Sequence, residues 1–402
     1  MHIFVQLLYI LFLVIQCIVA FYILLPLLLL LLYGLVNLFR IKTPFERRSF
    51  VTDKDFEFGI IITAHQEDLF IFPLVDSVLK QAYGKFRVYI VADDMEAATL
   101  AFDDPRITVL KPQPALHSKI KSIHYALDQF VRKHDAVIIL DADNLIHPSF
   151  LLTINNYFRK GYKVVQPDFR PKNINTLYAR MDAIGDMFNF FIEREARWRL
   201  NLSAAIWGSG VAIDYDLYRE VKYSDFLGGF DKKLQSHLVQ RVDRIAFAPD
   251  AILFDEKIVS GKSLEKQRTR WISAYFKYFT ESMVICWQGI RRMNFNLIFF
   301  GINVLRPPLF IVLGGGMLCT AIAFFVSLPL FYTWLFVWLS FFLSFAVIVL
   351  VRGKDVRFLR TLFLIPLFAL RQIAALLKIS KAKKSFLKTE HSSLVYIDDL
   401  VK

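Results

Sequence analysis

The chain has 402 residues, 55% of them hydrophobic, and a formal net charge of +13, so it has room for one sizeable domain beside membrane segments and is too apolar for a simple soluble protein. Its three cysteines, Cys17, Cys286 and Cys319, stand in or next to apolar stretches, which excludes a disulfide framework or a cysteine metal knuckle. Basic residues cluster beside the apolar segments and in the middle of the chain; anionic lipid headgroups and a phosphate-bearing substrate explain that pattern, and nucleic acid does not.

Residues 1–39 are almost wholly apolar and lack the basic start and small-residue cleavage site of a signal peptide. They read as a membrane anchor of one or two spans. The segment is longer than one crossing of about 30 Å requires, and Gln16 and Pro26 mark where it can break. Arg40, Lys42, Arg47 and Arg48 follow, which sets that side of the anchor in the cytoplasm. From Phe56 onward, short apolar runs alternate with amphipathic stretches. Strands are expected at 59–63, 86–92, 107–110, 137–140 and 163–166, with late candidates at 245–248 and 251–254. Helices are expected at 69–81, 119–132 and 175–200. This βα alternation predicts an α/β domain over 56–273, a mostly parallel sheet with helices on both faces. Residues 274–304 read as helices along the membrane surface, and 305–350 as two crossings, Leu309–Val326 and Phe331–Leu350. Residues 357–377 read as an interfacial or third membrane helix, and 378–402 as a basic cytoplasmic tail.

The run Val137-Ile-Ile-Leu140 reads as a strand buried on both faces, and it ends in Asp141, Ala142, Asp143 and Asn144. Carboxylates at i and i+2 on an extended chain point to one side, and the C-terminal edge of an α/β sheet is where ligands bind. Such a pair can hold a divalent cation and, through it, phosphate oxygens; alone, it is also an ordinary turn. Asp93 and Asp94 end an earlier strand. Lys119 opens a helix, where its charge opposes the helix dipole and a ligand phosphate would offset it. Trp207-Gly-Ser-Gly210 reads as a tight turn whose backbone can approach a ligand, and Gln267-Arg-Thr-Arg-Trp271 as a guanidinium-rich turn before the membrane. Cation and guanidinium together suit a diphosphate, and a diphosphate at a membrane points to nucleotide-sugar chemistry.

In the order and spacing of these motifs, residues 57 to 275 resemble the membrane-integrated, inverting family 2 glycosyltransferases related to cellulose, chitin, hyaluronan and poly-N-acetylglucosamine synthases. The resemblance implies a GT-A type domain flanked by transmembrane helices. It implies that Glu67, after Ile61-Ile-Thr-Ala-His-Gln, lies near the nucleotide base and that Asp94 contacts the nucleotide. Lys119, within His117-Ser-Lys-Ile-Lys-Ser-Ile-His124, and Ser209 would complete the donor site. Asp141 and Asp143 would hold Mg²⁺ or Mn²⁺, with Asp143 closest to the cation. Gln267, Arg270 and Trp271 would hold the diphosphate and line the acceptor end. Lys384 to His391 resembles a gating-loop segment. One departure stands out. Relatives follow Gly-Gly-Phe-Asp with Thr-Glu-Asp, whose aspartate deprotonates the acceptor; here Leu227-Gly-Gly-Phe-Asp231 is followed by Gln235-Ser236-His237. His237, Asp231, Asp255 and Glu256 remain candidate bases, as does the absence of an ordinary base.

The expected function is inverting transfer from a nucleotide-diphosphate sugar, UDP-linked by resemblance, to a saccharide or lipid-linked saccharide. It would take place at the cytoplasmic face of a bacterial inner membrane, in surface polysaccharide synthesis, among membrane lipids and partner subunits. Two alternatives stay open: a polyisoprenyl-phosphate acceptor, and a membrane partner subunit that kept the fold without its base.

Overall fold

A computed structural model of the chain describes residues 2–66, 68–95, 100–223, 229–362 and 394–401. It begins with α1 (His2–Leu38), a single helix that Pro26 does not interrupt. Gln16 marks no break either. Its amide oxygen accepts from Trp334 Nε1 at 2.7 Å, so that oxygen is satisfied against another helix. At about 1.5 Å per residue, α1 outruns one bilayer. Its far end is tied to the soluble part, where Tyr33 donates to Glu195 at 2.9 Å and Asn37 accepts from Arg199 at 2.7 Å. After α2 (Pro44–Arg47) come β1 (Phe58–His65), α3 (Ile71–Leu79), β2 (Phe86–Asp93), β3 (Ile107–Leu110), α4 (Lys119–Asp128) and β4 (Ala136–Asp141). Next are β5 (Leu145–Ile146), α5 (Phe150–Arg159), β6 (Val164–Pro171), α6 (Leu177–Phe190), a π turn (Phe191–Glu195) and α7 (Ala196–Arg199). The domain ends with β7 (Ala212–Asp214), α8 (Tyr215–Arg219), α9 (Phe230–Leu238), β8 (Ala246–Asp255) and α10 (Gly261–Lys277).

The strands form one sheet in the order β3-β2-β1-β4-β7-β6-β8-β5. β7 and β5 pair antiparallel with their neighbours while the other pairings are parallel, so six strands point the same way. The mostly parallel sheet is therefore as expected, and its central strands are apolar on both faces: Ile60, Ile61, Ile62, Val137, Ile138, Ile139 and Leu140 are all fully buried. Two expected late strands are one. Pro249 and Asp250 read as a break in sequence, but the chain carries them as a bulge in β8: the register with β6 jumps from Pro167–Ala248 to Asp168–Ile252. The expected helix 175–200 starts at Leu177, capped by Thr176, and widens into the π turn before α7. Short β5 and β7 were not expected, having too few residues to stand out, and neither was α5, although its buried Phe150, Leu151, Ile154, Tyr157 and Phe158 stand at helical spacing.

Beyond α10 lie α11 (Phe279–Arg291), α12 (Phe295–Val304), α13 (Leu309–Val326), α14 (Leu328–Gly353), α15 (Val356–Leu362) and the short α16 (Ile397–Leu400). The segment Tyr9–Leu38 of α1, with α13 and α14, is long and apolar enough to cross a membrane, which supports a multi-pass membrane protein. These helices share a core in which Ile23, Val312, Phe341 and Phe345 meet Ile184, Phe188 and Phe191 of α6 and the π turn. The α/β domain and the membrane helices are thus joined by packing. The expected helix over 357–377 and the tail, including Lys384–His391, lie largely outside the described residues.

Candidate active site

The C-terminal ends of the parallel strands open onto a cavity of about 640 Å³. Register brings acids there: His65 pairs with Asp93, Thr63 with Asp141, and Pro171 with Asp255. At the end of β4, Asn144 N–H closes a turn onto Asp141 O at 3.0 Å. The Asp141 N–H faces Asn144 Oδ1 at 3.0 Å and Ser209 Oγ at 3.2 Å, and Ser209 Oγ in turn donates to Asn144. The Trp207–Gly210 turn can reach this strand because Gly208 and Gly210 adopt φ of +75° and +64°; a Cβ at Gly210 would lie 2.5 Å from Leu253. Lys119 Nζ donates to Asp141 Oδ1 at 2.5 Å and to Gly208 O at 3.0 Å. Asp141 is therefore neutralised by its own lysine.

Asp143 faces a different set of groups. Lys172 Nζ donates to the Asp143 backbone oxygen at 2.9 Å. Burial pulls the Lys172 ammonium below its ordinary value, and the nearby charges of Asp143, Glu256 and Asp255 oppose that. At the end of β8, Asp255 Oδ2 accepts from Lys257 at 2.8 Å, and Lys257 also donates to Asp186 at 2.6 Å. Asp255 Oδ1 is buried without a hydrogen-bond partner among the described residues. Burial pushes the Asp255 carboxyl up to about 7 against the pull of Lys257, with Asp186 and Asp143 adding to the rise. A hard divalent cation with oxygen ligands fits this place, since it would satisfy that oxygen and offset the repulsion between Asp143 and Asp255.

Apart from the Asp143–Asp255 pair, three residues whose ligand atoms together could hold a metal meet at the ends of β1 and β2: those of His65, Asp93 and His117 lie within 4.8 Å of one another, the one such group of three found among the described residues. Asp93 there accepts from Leu116 N–H at 2.6 Å and His117 N–H at 2.8 Å, with His65 Nδ1 at 3.0 Å. On the opposite wall, α10 presents Gln267, Arg270 and Trp271 to the cavity. Burial lowers the Arg270 guanidinium from its ordinary value, with Asp141 and Asp231 opposing, and it remains a cation. Gln267 Oε1 is buried without a partner. Arg268 turns away to Asp182 at 2.6 Å and stacks on Trp271.

Residues 56–274, over half of the chain, match the family described as glycosyltransferase like family 2. The chain belongs to that family. The mannosyltransferase PcManGT from Pyrobaculum calidifontis, solved with GDP-Man and Mn²⁺, is similar at a TM-score of 0.58 and 16% identity, over 92% of this chain and 100% of that one. That likeness bears on the fold, which is of the GT-A type. TarS 1-349 of S. aureus overlaps 56% of this chain and 65% of its own at 14% identity, with a TM-score of 0.36. Among curated proteins no sequence matches this chain.

In this family 2 glycosyltransferase, Lys119, Asp141, Asp143, Ser209, Asp231, Asp255, Glu256, Gln267, Arg270 and Trp271 line one cavity. Asp94 is exposed with φ of +56° and accepts from Gln66, and Asp93, the last residue of β2, lines the cavity. Two expectations change. The stretch Gln267–Trp271 is helical and not a turn. His237 points from α9 toward Glu220 and Arg241, away from the cavity, and burial lowers its imidazole. Its neighbour Gln235 accepts from Ile206 N–H at 3.2 Å, a structural role. Glu67, Leu227 and Gly228 lie outside the described residues. Strand register and a loop bring His65 and His117 together, which local sequence does not show.

Proposed function

We propose that the chain transfers a sugar, with inversion, from a nucleotide-diphosphate donor, UDP-linked by resemblance, to an acceptor presented at the cytoplasmic face of a bacterial inner membrane. The observation that carries this reading is one cavity lined by Asp143, Arg270 and Asp255, whose buried Oδ1 has no hydrogen-bond partner among the described residues. Asp143 and Asp255 would hold Mg²⁺ or Mn²⁺, which supplies positive charge to the diphosphate. Arg270 makes no hydrogen bond or ion pair among the described residues, which leaves its donors available to the leaving diphosphate. Trp271, edge-on to Trp207 with ring centres 5.4 Å apart, walls the acceptor side. With His237 turned away, Asp231 is the carboxylate best placed to accept a proton from a hydroxyl acceptor. It lines the cavity and lies near Arg194 and Arg270. Helices α11 and α12 would rest on the lipid surface, as their exposed Met283, Trp287, Ile290 and Phe299 suggest.

The test is a screen of nucleotide sugars against the purified full chain in lipid nanodiscs, reading released nucleoside diphosphate with and without chelator. Release from one donor, abolished by chelation, is expected. Binding of a nucleotide with metal but no release from any donor would instead indicate a non-catalytic partner subunit.

A further inference from the structure

Asp143 and Asp255 leave two strands that meet at the edge of the sheet, and the join between those strands is short. β5 and β8 pair antiparallel over two rungs, Leu145 with Phe254 and Ile146 with Leu253. One step past the first rung the two chains carry Asn144 and Asp255, and Asp143 follows a step further on. The approach of the two carboxylates therefore depends on how firmly that rung is held. Lys172 fastens the ends with its backbone N–H, which donates to Asp255 O at 2.8 Å, and its Nζ, which donates to Asp143 O at 2.9 Å. From α3, Ser77 Oγ accepts from Ile146 N–H at 3.2 Å, and Gln81 donates to His147 O at 2.8 Å. The first rung itself is held by apolar contact. Leu145 and Phe254 stand opposite each other, so their side chains share a face. Ile397 of α16 is buried with them in a cluster apart from the main core, and Ile252, Leu400 and Val401 pack around it. A helix of four residues does not hold its shape alone, so α16 takes its order from what it docks on. Its ion pair, Asp398 with Lys80 at 2.5 Å, is exposed and shares Lys80 with Asp76 at 2.8 Å. Such a pair contributes little in water, which leaves the docking to Ile397.

Resting on the proposed transferase reading, we propose that Ile397 is a positioning residue for the metal site: by closing the Leu145–Phe254 rung, α16 sets the approach of Asp143 to Asp255. Mg²⁺ takes its oxygens at about 2.1 Å in a near-ideal octahedron, so a carboxylate pair that drifts apart loses the ion long before the sheet comes undone. Without Ile397, Leu145 and Phe254 meet water and the edge strand loosens. The central strands are untouched, because their buried residues belong to a separate core. None of the described residues 394–401 lines the cavity, so α16 acts on the site only through the strands it packs against.

Mn²⁺ binding to the purified full chain in lipid nanodiscs, read by electron paramagnetic resonance, tests this. Deleting residues 394–402 should weaken Mn²⁺ binding about tenfold, the scale of losing a group that orients a metal ligand. A synthetic peptide of residues 394–402, added in excess, should restore it. Ile397→Asp should match the deletion, Ile397→Ala should act in the same direction by less, and Asp398→Asn should leave binding unchanged. With the donor found by screening, the deletion should lose activity at limiting Mn²⁺ and regain the parent's kcat at saturating Mn²⁺, a recovery that general damage to the fold would not show. Parent-like Mn²⁺ affinity in the deletion, a peptide that restores nothing, or a lost kcat that excess Mn²⁺ does not recover would overturn the role of α16. Where the deletion does not fold, Ile397→Ala decides, and parent-like affinity there overturns the role equally. A parent that binds Mn²⁺ no better than Asp143→Asn would instead sink the metal site on which this proposal rests.

Discussion

Asp141 and Asp143 leave the same strand two residues apart and meet different neighbours. Lys119 neutralises Asp141 within the fold, whereas Asp143 shares its surroundings with Asp255 and two lysines. Asp143→Asn should therefore lower kcat/KM by about 10²–10³-fold while leaving the thermal midpoint near that of the parent. His117→Ala, at the second metal-capable group, should change metal-dependent activity far less; comparing the two in one assay decides which group matters. A separate residue sets a pH limit on the fold. His134 is buried, with Tyr89 Oη 2.9 Å from its Nε2 and Glu57 3.6 Å away, and burial holds its imidazole below the ordinary value. The unfolded chain thus takes up this proton first as pH falls. Stability present above about 6.5 is lost on acidification, until the lower folded value is reached. Thermal midpoints should fall from pH 7 to pH 5, and His134→Gln should flatten that slope. The aspartate pair at the end of β4 was legible from strand periodicity alone. The exposure of Asp94 beside a buried Asp93 was not, because it turns on Asp94 adopting a left-handed φ.

At the scale of elements, the last turn of α14 is tied into the catalytic domain. Arg352 donates to Asp168 of β6 at 2.5 Å and also to Glu195 of the π turn. Burial raises the Asp168 carboxyl despite the guanidinium, as expected of a charge removed from water. Arg352→Met would strand two carboxylates, and it should destabilise the folded chain by about 3–5 kcal/mol, read as a loss of thermal midpoint in detergent. In sequence Arg352 is only a basic residue after an apolar run. Its partners lie 157 and 184 positions away, beyond any local pattern. Where the signal was periodic and continuous, as in β1, β2, β4, α13 and α14, the elements were legible to within a few residues. Where turn-forming residues sat inside an element, as Pro249 does in β8, or a polar residue inside a membrane helix found a partner, as Gln16 does, local signals suggested breaks that tertiary contacts override.

At the scale of the whole molecule, one cavity is lined both by the acids of the sheet edge and by apolar residues of α6, α13 and α14. The central claim is that a cation held at Asp143 binds the donor. Its most direct measurement is calorimetric titration of the nucleoside diphosphate found by screening into the purified chain, with and without Mn²⁺, for the parent and for Asp143→Asn. Binding by the parent that requires the metal, and loss of that binding in Asp143→Asn, is the predicted result. Equal binding without metal, or metal-dependent binding that survives in Asp143→Asn, would contradict it.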